Sequence, residues 1–330
     1  MQDSIHPSEP EYGDQAFRRK GLLGQAPEMT YGGALSFLRR SYSRDLTGAD
    51  VVVSGIPYDS AVTYRSGARL GPRAIRAASV QLAELKAFPF GFHPFEHLAV
   101  VDYGDCFLDP HHPETIIPSI EEHISQILAA DASPLSFGGD HFVTYPILRA
   151  IAKQHGPVAL LHFDAHCDTW EDDGSRFDHG SMFLRAKREG LIDVAHSMQV
   201  GIRTYNDSDH GFRILTAPWV HREGIKRTVE EIYERVGNQK VYLSFDIDCL
   251  DPVFAPGTGT PVVGGLSTAQ ALGIVRSLGQ LNLVGMDVVE VAPAYDVAEV
   301  TTLAAATLAH DYLCLLAEKK GAVRAPTGLL

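Results

Sequence analysis

The chain has 330 residues, a formal net charge of −13 at pH 7, and 45% hydrophobic and 21% charged residues. This balance is typical of a globular protein with a sizeable core, and the negative charge argues against a nucleic-acid partner. No apolar run approaches the roughly 18 residues of a membrane span, and the N-terminus lacks the apolar stretch of a secretory signal. We therefore expect no membrane association and a cytoplasmic location.

Residues 1–30 differ from the rest of the chain in being polar, with proline, glycine and mixed charge. We interpret them as an irregular N-terminal arm that takes part in subunit contacts. Residues 31–330 contain no internal repeat and no linker rich in proline, glycine or serine. A single domain is therefore expected there.

Apolar runs alternate with helical segments through residues 31–330. Seven runs predict buried strands, and a short segment near Trp219 predicts another; the seven are 51–56, 98–103, 134–137, 158–163, 198–202, 241–245 and 283–291. Helices are expected between them, at 71–86, 118–130, 142–155, 227–236, 268–278 and 300–320. This alternation predicts an α/β fold, with a parallel sheet covered by helices on both faces.

Acidic and imidazole side chains follow four of the predicted strands. Ligands of open α/β sheets bind at the carboxyl ends of the strands, where such side chains would meet. The residues concerned are His141 after the third run, Asp164, His166 and Asp168 after the fourth, Asp246 and Asp248 after the sixth, and Glu290 near the end of the seventh.

The spacing of these residues places several of them on one face. Alternate side chains of an extended segment share a face, so Asp164, His166 and Asp168 can point into one site. Asp246 and Asp248 repeat this spacing. Together with His141, the set comprises four carboxylates and two imidazoles.

Four carboxylates that converge in a poorly hydrated site repel one another strongly. Two divalent cations would cancel that charge, and a donor set rich in oxygen with some nitrogen favours Mn²⁺ over Zn²⁺. Any one of these carboxylates has an equally good structural explanation, as a helix cap or a solvated loop residue. The whole pattern does not, so the sequence predicts a dinuclear manganese site.

The segments SFGGDH, FDAHCD, SFDIDCLDPVFAPGTGTP and GMDVVEVAP resemble the signature segments of the ureohydrolase family, which includes arginases and agmatinases. The resemblance extends over residues 49–319 and is strongest to the bacterial agmatinases over residues 241–309. It implies a three-layer α/β/α sandwich around a mostly parallel eight-stranded sheet. It also implies a homo-oligomer, either a hexamer or a trimer.

The resemblance further implies how the site is divided. One Mn²⁺ would be held by His141, Asp164, Asp168 and Asp246, and the other by Asp164, His166, Asp246 and Asp248. Glu290 would bind the substrate guanidinium, and His179 would pass a proton to the leaving amine. The alternatives are that Glu290 is a buried ion-pair partner and that His179 begins a helix without a catalytic part.

The expected reaction is hydrolysis of a terminal guanidinium to an amine and urea, by attack of a metal-bridging hydroxide on the guanidinium carbon. Asp168 lies next to the expected position of that hydroxide and is the expected acceptor of its proton. The substrate is expected to be a small cationic guanidino compound.

Trp170 is expected to contact the substrate, because arginases have there an asparagine that helps bind the α-carboxylate of arginine. The acidic residues Glu171, Asp172 and Asp173 follow, and beside the substrate they would repel a carboxylate and attract an ammonium. Together with the resemblance to agmatinases over residues 241–309, which decides the choice, this favours agmatine, which yields putrescine for polyamine biosynthesis. The opposing interpretation is a solvated loop turned away from the site.

Several alternative functions remain open. The first is another guanidino substrate: 4-guanidinobutyrate as runner-up, then 3-guanidinopropionate or arginine. A metal-dependent deacetylase is a second class, but such enzymes usually bind one zinc with fewer carboxylates. A non-catalytic metal-binding homologue is a third, although none of the six expected ligands is missing.

Overall fold

A computed structural model of the protein describes residues 13–25, 28–174 and 176–325. Within these residues the strands are β1 (Ser41–Tyr42), β2 (Val51–Ile56), β3 (Val100–Asp105), β4 (Ser133–Gly138), β5 (Ala159–Phe163), β6 (Met198–Ile202), β7 (Arg213–Thr216), β8 (Lys240–Asp246) and β9 (Asn282–Val289). They form one nine-stranded sheet in the order β1-β3-β2-β4-β9-β8-β5-β6-β7. Every pair of neighbouring strands is parallel.

Helices cover both faces of this sheet. The α-helices of the described residues are α1 (Gln15–Arg18), α2 (Gly71–Ser79), α3 (Ile116–Ala129), α4 (Thr144–His155), α5 (Met182–Arg188), α6 (Ala217–Val236), α7 (Thr268–Val275) and α8 (Val300–Lys319). Helices α2, α6, α7 and α8 contribute to one hydrophobic cluster, and α3, α4 and α5 contribute to the other. Adjacent strand residues such as Leu160 and Leu161 enter opposite clusters, as the two-residue period requires.

The predicted α/β architecture with a large parallel sheet is confirmed, and each of the seven predicted strands is present. The sheet has one strand more than the resemblance implied. Strand β1 has only two residues, and β7 is a short edge strand with two exposed residues among its four, so neither produces a long apolar run.

The predicted strand near Trp219 is wrong, because these residues form the first turn of α6. The side chain of Thr216 accepts a hydrogen bond from the Trp219 N–H and thereby caps the helix. Pro218 occupies the first turn, where the missing N–H of proline does no harm.

Helix α8 is long and apolar enough by composition to cross a membrane, contrary to the expectation that no apolar run approaches that length. In this helix 83% of the most apolar 18-residue window is buried inside the protein. A helix enclosed by other elements needs apolar residues on all its sides, and α8 packs in the core with α2 and α7. It is therefore a core helix.

The proposed N-terminal arm lies partly outside the described residues, which omit 1–12 and 26–27. The described part of the arm packs against later residues of the same chain. The Phe17 ring meets the Tyr42 ring edge-on, and the buried Glu28 and Arg39 form an ion pair of 3.1 Å. Its role in subunit contacts, and the division of the chain at residue 30, stay predictions.

His310 in α8 makes the stability of the fold dependent on pH. Burial, and then the positive charges of Arg40 and Arg276, lowers the pKa of His310 from 6.5 to about 4. The folded protein therefore binds this proton less readily than the unfolded chain does. The resulting stabilisation is present above pH 6.5 and is lost as the pH falls toward 4.

Replacing His310 with phenylalanine should remove this pH dependence. Between pH 7 and pH 5 the free energy of unfolding of the wild type should fall by about 2 kcal/mol relative to His310→Phe. Urea denaturation at the two pH values measures the difference. The same substitution at the exposed His111 is the control, and a difference that does not change with pH would contradict the assignment.

Candidate metal centre and active site

The four strands that precede the predicted site residues are neighbours in the sheet, in the order β4, β9, β8 and β5. Because they are parallel, their carboxyl ends lie along one edge. Asp246 ends β8, Asp164 directly follows β5, and Glu290 directly follows β9. His141 begins a short 3-10 helix after β4. The topology thus brings the predicted residues together.

His141 lies at the centre of three carboxylates. Its Nδ1 atom is 3.0 Å from Asp164 Oδ2, 3.0 Å from Asp168 Oδ2 and 3.2 Å from Asp246 Oδ2. The imidazole is buried, and Nδ1 makes no hydrogen bond. A buried nitrogen without a hydrogen-bond partner and surrounded by carboxylate oxygens fits the coordination of a cation.

His166 forms a second group beside the first. Its Nδ1 atom is 3.3 Å from Asp164 Oδ1 and 3.1 Å from Asp248 Oδ2. Asp164 therefore presents one oxygen to each imidazole, as a bridging ligand would. Asp246 presents Oδ2 to His141, while its Oδ1 accepts a hydrogen bond of 2.8 Å from the Asp248 N–H.

The electrostatics of the cluster reflect its burial. Burial, and then the charges of Asp248 and Asp164, raises the pKa of Asp246 well above its ordinary value. Burial followed by the charge of Asp164 also raises the pKa of Asp168. Such carboxylates give up their protons only when positive charge is nearby. The donor set therefore fits divalent cations.

Glu290 connects the cluster to His179. Its Oε1 atom accepts hydrogen bonds from the His141 backbone N–H at 2.9 Å and from His179 Nδ1 at 2.8 Å. Its Oε2 atom is buried and has no hydrogen-bond partner. Oε1 is thus fixed by two hydrogen bonds. Oε2 has no partner among the described residues and is available to a donor on a bound molecule.

His179 is held on its other side by Thr63. The Thr63 N–H points at Nε2 from 3.1 Å, and the Thr63 hydroxyl oxygen lies 2.9 Å from the same nitrogen. Burial lowers the pKa of His179, but the Glu290 carboxylate outweighs it and the pKa rises to about 9.

The Thr63 contact opposes protonation of His179, because a nitrogen that accepts a hydrogen bond carries no proton. The Glu290 charge favours protonation, but the position of the Thr63 N–H determines the protonation state, because a proton on Nε2 would point directly at that N–H. His179 is therefore neutral in this arrangement, with its proton on Nδ1. It can take up a second proton at Nε2 only when Thr63 moves away.

Two site residues have left-handed backbone conformations, Asp168 with φ 52° and Glu290 with φ 62°. Residues other than glycine are strained there, typically by about 1–3 kcal/mol each. A third tight point is Gly139, where a Cβ atom would lie 1.7 Å from the Tyr58 carbonyl oxygen. The surrounding structure therefore holds the backbone of this edge in place.

A cavity of about 310 Å³ opens above the cluster and includes His166, Asp168, Asp246 and His179 in its walls. Trp170 also lines it, with the Trp170 Nε1–H bonded to the Tyr205 carbonyl oxygen at 3.2 Å. The six predicted metal ligands, Glu290, His179 and Trp170 are thus gathered in one region.

The acidic loop differs from the expectation in one respect. Asp172 and Glu171 do line the cavity. However, Asp172 pairs with Arg185 at 2.6 Å, and Glu171 pairs with Arg188. Each of these two carboxylates therefore already has a cationic partner, which weakens the electrostatic basis for expecting them to attract an ammonium.

Sequence reasoning missed several residues that contact the site. His162 Nε2 lies 2.7 Å from Asp164 Oδ2, and its position two residues before Asp164 was a usable signal. Asp287 lies inside an apolar strand, where a carboxylate is unusual. Thr63 had no sequence signal, because it comes from a loop 116 positions from His179.

Comparison with known proteins places this chain in a known family. The chain matches the arginase family over residues 49–314. The chain belongs to the arginase family. It is 64% identical over 311 residues to an agmatinase of Chromobacterium violaceum, covering 94% of this chain and 97% of that one. Its curated relatives include agmatinases, which are hydrolases of this family, and enzymes of the family are metal-dependent.

Solved structures agree with this assignment. A hypothetical agmatinase from Burkholderia thailandensis superposes with a TM-score of 0.93 and 60% identity, covering 94% of this chain and 99% of the other. The proclavaminate amidino hydrolase from Streptomyces clavuligerus gives a TM-score of 0.82 and 40% identity, covering 88% and 99%.

Adding Mn²⁺ to protein freed of metal by a chelator should raise the free energy of unfolding, because cations cancel the repulsion among the buried carboxylates. At free Mn²⁺ about 100 times the dissociation constant, one site contributes about 2.7 kcal/mol. Asp164→Asn should lose most of this response in urea denaturation, whereas Asp207→Asn, at an exposed loop residue, should keep it. Equal responses in both variants would show that Mn²⁺ acts elsewhere.

Proposed function

We propose that this enzyme is a dinuclear manganese amidinohydrolase that splits agmatine into putrescine and urea. The observation that carries the proposal is the cluster of four carboxylates and two imidazoles at the base of a cavity. The choice of agmatine is supported by the similarity to agmatinases over nearly the whole chain.

The cations would be held as the family resemblance implies. His141 and Asp168 would serve one cation, His166 and Asp248 the other, and Asp164 with Asp246 both. When bound, two divalent cations lower the pKa of a shared water and so provide a nucleophile at neutral pH. The oxygen-rich donor set supports Mn²⁺ as the ion.

Glu290 would bind the guanidinium. Its Oε2 atom is buried and lacks a partner, so it can accept a charge-assisted hydrogen bond from the substrate. Its Oε1 atom is held by the His141 N–H and by His179, so the carboxylate cannot rotate freely. Binding there would hold the guanidinium beside the cluster and compensate its positive charge.

Asp168 and His179 would handle protons. Asp168 faces the cavity beside His141 and would accept a proton from the attacking water. His179 would deliver a proton to the leaving amine from Nε2, the nitrogen that Thr63 contacts. This assignment requires Thr63 to release that nitrogen during the reaction, because both N–H groups cannot point at each other.

The substrate would be a small cation. The cavity of about 310 Å³ lies at the lower end of the range for small-molecule sites. Trp170, in the cavity wall, would contact the aliphatic part of the substrate. A homo-oligomer and a role in polyamine metabolism stay predictions from the family resemblance. A cytoplasmic location stays a prediction from the sequence.

A substrate panel with Mn²⁺ tests the proposal. Agmatine, 4-guanidinobutyrate, 3-guanidinopropionate and arginine are compared by urea release, and an acetylated amine tests for deacetylase activity. We expect the highest kcat/KM for agmatine and no deacetylation of the acetylated amine. A higher kcat/KM for 4-guanidinobutyrate or arginine would make the substrate assignment wrong, and full activity in protein shown to lack metal would exclude the dinuclear mechanism.

Variants of Glu290 and His179 should separate binding from proton transfer. Glu290→Gln should greatly lower kcat/KM while bound metal stays unchanged, because the negative charge opposite the guanidinium is lost. His179→Phe should mainly lower kcat, by roughly 10²–10⁴-fold. Glu223→Gln, at an exposed residue paired with Arg222 and outside the cavity wall, is the control. Wild-type kcat in His179→Phe from pH 7 to 10 would return His179 to a structural role.

A further inference from the structure

A row of buried polar side chains crosses the sheet directly below the predicted metal ligands. Its members lie opposite one another in register on neighbouring strands, and all are buried in an otherwise apolar sheet. Ser244 and His162 in this row precede Asp246 and Asp164 by two residues and so share their faces. The row consists of Ser54, Ser136, Asp287, Ser244, His162 and Gln199.

Asp287 is the acceptor at the centre of this row. Its Oδ1 atom accepts the Ser244 hydroxyl at 2.7 Å. Its Oδ2 atom accepts the Tyr242 and Thr144 hydroxyls, each at 2.8 Å. A carboxylate has no proton to donate, so all three hydroxyls must donate to it. Burial raises the pKa of Asp287, and these three hydrogen bonds oppose that shift by stabilising its charge.

The single proton of the Ser244 hydroxyl is therefore committed to Asp287. The same oxygen lies 2.8 Å from His141 Nε2, so it must accept the Nε2–H. A neutral imidazole that carries its proton on Nε2 has its lone pair on Nδ1. That nitrogen is the one that faces Asp164, Asp168 and Asp246.

Without such a device, the arrangement around His141 would favour the opposite tautomer. Three carboxylate oxygens within 3.2 Å of Nδ1 attract a proton to that nitrogen. A proton on Nδ1 would block cation binding, because the nitrogen lone pair would be occupied. In a neutral imidazole, which has a single proton, the Ser244–Asp287 pair opposes this by requiring that proton on Nε2.

We propose that Ser244 and Asp287 are positioning residues that keep the proton of His141 on Nε2 and its Nδ1 free for a divalent cation. The inference deepens the proposed function and rests on it for the identity of the cation. Neither side chain need touch the substrate or the cation. Their effect is on His141, in the way that ligating histidines are generally oriented through their second nitrogen.

The same logic applies to His162 on the other side of the row. The Gln199 amide lies 3.2 Å from His162 Nδ1, and this amide also donates to the Cys167 carbonyl oxygen at 2.6 Å. With its Nδ1 accepting from Gln199, His162 carries its proton on Nε2 and donates it to Asp164 Oδ2. The row would therefore orient one imidazole ligand, His141, through Ser244, and one carboxylate ligand, Asp164, through His162.

The test measures Mn²⁺ binding by the whole protein after a chelator has removed its metal. Free Mn²⁺ is followed by electron paramagnetic resonance. Ser244→Ala should raise the dissociation constant roughly 10–100-fold. Ser244→Thr keeps the hydroxyl and should restore most of the affinity. Ser136→Ala is the matched control, because Ser136 lies opposite Asp287 in the same row but its hydroxyl oxygen has no hydrogen-bond partner.

Asp287→Asn provides a second variant in case Ser244→Ala folds poorly. The amide keeps the size of the carboxylate but can donate, so the direction of the Ser244 hydrogen bond is no longer determined. Mn²⁺ affinity should again fall, and urea denaturation of the chelated proteins shows whether each variant is folded. Equal Mn²⁺ affinity in Ser244→Ala, Ser136→Ala and wild type would overturn the proposal.

Urea release separates this inference from the proposed function. If wild type hydrolyses agmatine but Ser244→Ala binds Mn²⁺ normally, the positioning role fails and the function stands. If Mn²⁺ binding weakens in Ser244→Ala as expected but wild type releases no urea from any guanidino compound, the positioning role stands and the function fails.

Discussion

Repulsion among four buried carboxylates is the constraint on which the rest of this structure depends. Asp164, Asp168, Asp246 and Asp248 lie at one edge of the sheet, and burial raises the pKa of three of them. Asp164 differs because its contact with the His162 imidazole outweighs burial and holds its pKa well below the ordinary value. A site of this kind favours cation binding, since positive charge relieves the repulsion.

Holding these groups in place has a cost that the surrounding elements offset. The backbone is left-handed at Asp168 and Glu290, and Gly139 is pressed against the Tyr58 carbonyl. Four adjacent parallel strands and helices on both faces surround this edge, so local relaxation is prevented by packing. Such rigidity would suit the proposed reaction, in which a nucleophile and a guanidinium must be positioned accurately.

The side chains around the cavity are held by fewer contacts than the predicted metal ligands at its base. Glu290 has one oxygen engaged and one without a partner, and His179 is held between Glu290 and Thr63. The loop acids Glu171 and Asp172 are paired with arginines. Substrate preference would therefore depend on shape and on groups that rearrange during binding, more than on a permanent negative charge of this loop.

The sequence by itself determined the local features of the protein. Apolar runs located seven strands, because these depend only on short-range backbone geometry. The expected extended spacing of the ligands is wrong, because β5 ends at Phe163 and Asp168 has a left-handed backbone. The Asp246–Asp248 pair likewise does not lie on one strand, since Asp246 ends β8 and Asp248 lies in a 3-10 helix. The two-residue strand β1 and the edge strand β7 escaped detection, since neither buries a long apolar run. His162 was within reach of the same reasoning and was missed.

Only the tertiary structure decided which strands are neighbours and in what register. The order β4-β9-β8-β5 unites the ligands, and the alignment of Asp287 with Ser136 and Ser244 creates the polar row beneath them. The contact of Thr63 with His179 has the same origin. Sheet order and register follow from packing between segments far apart in the chain, which no local pattern of residues encodes.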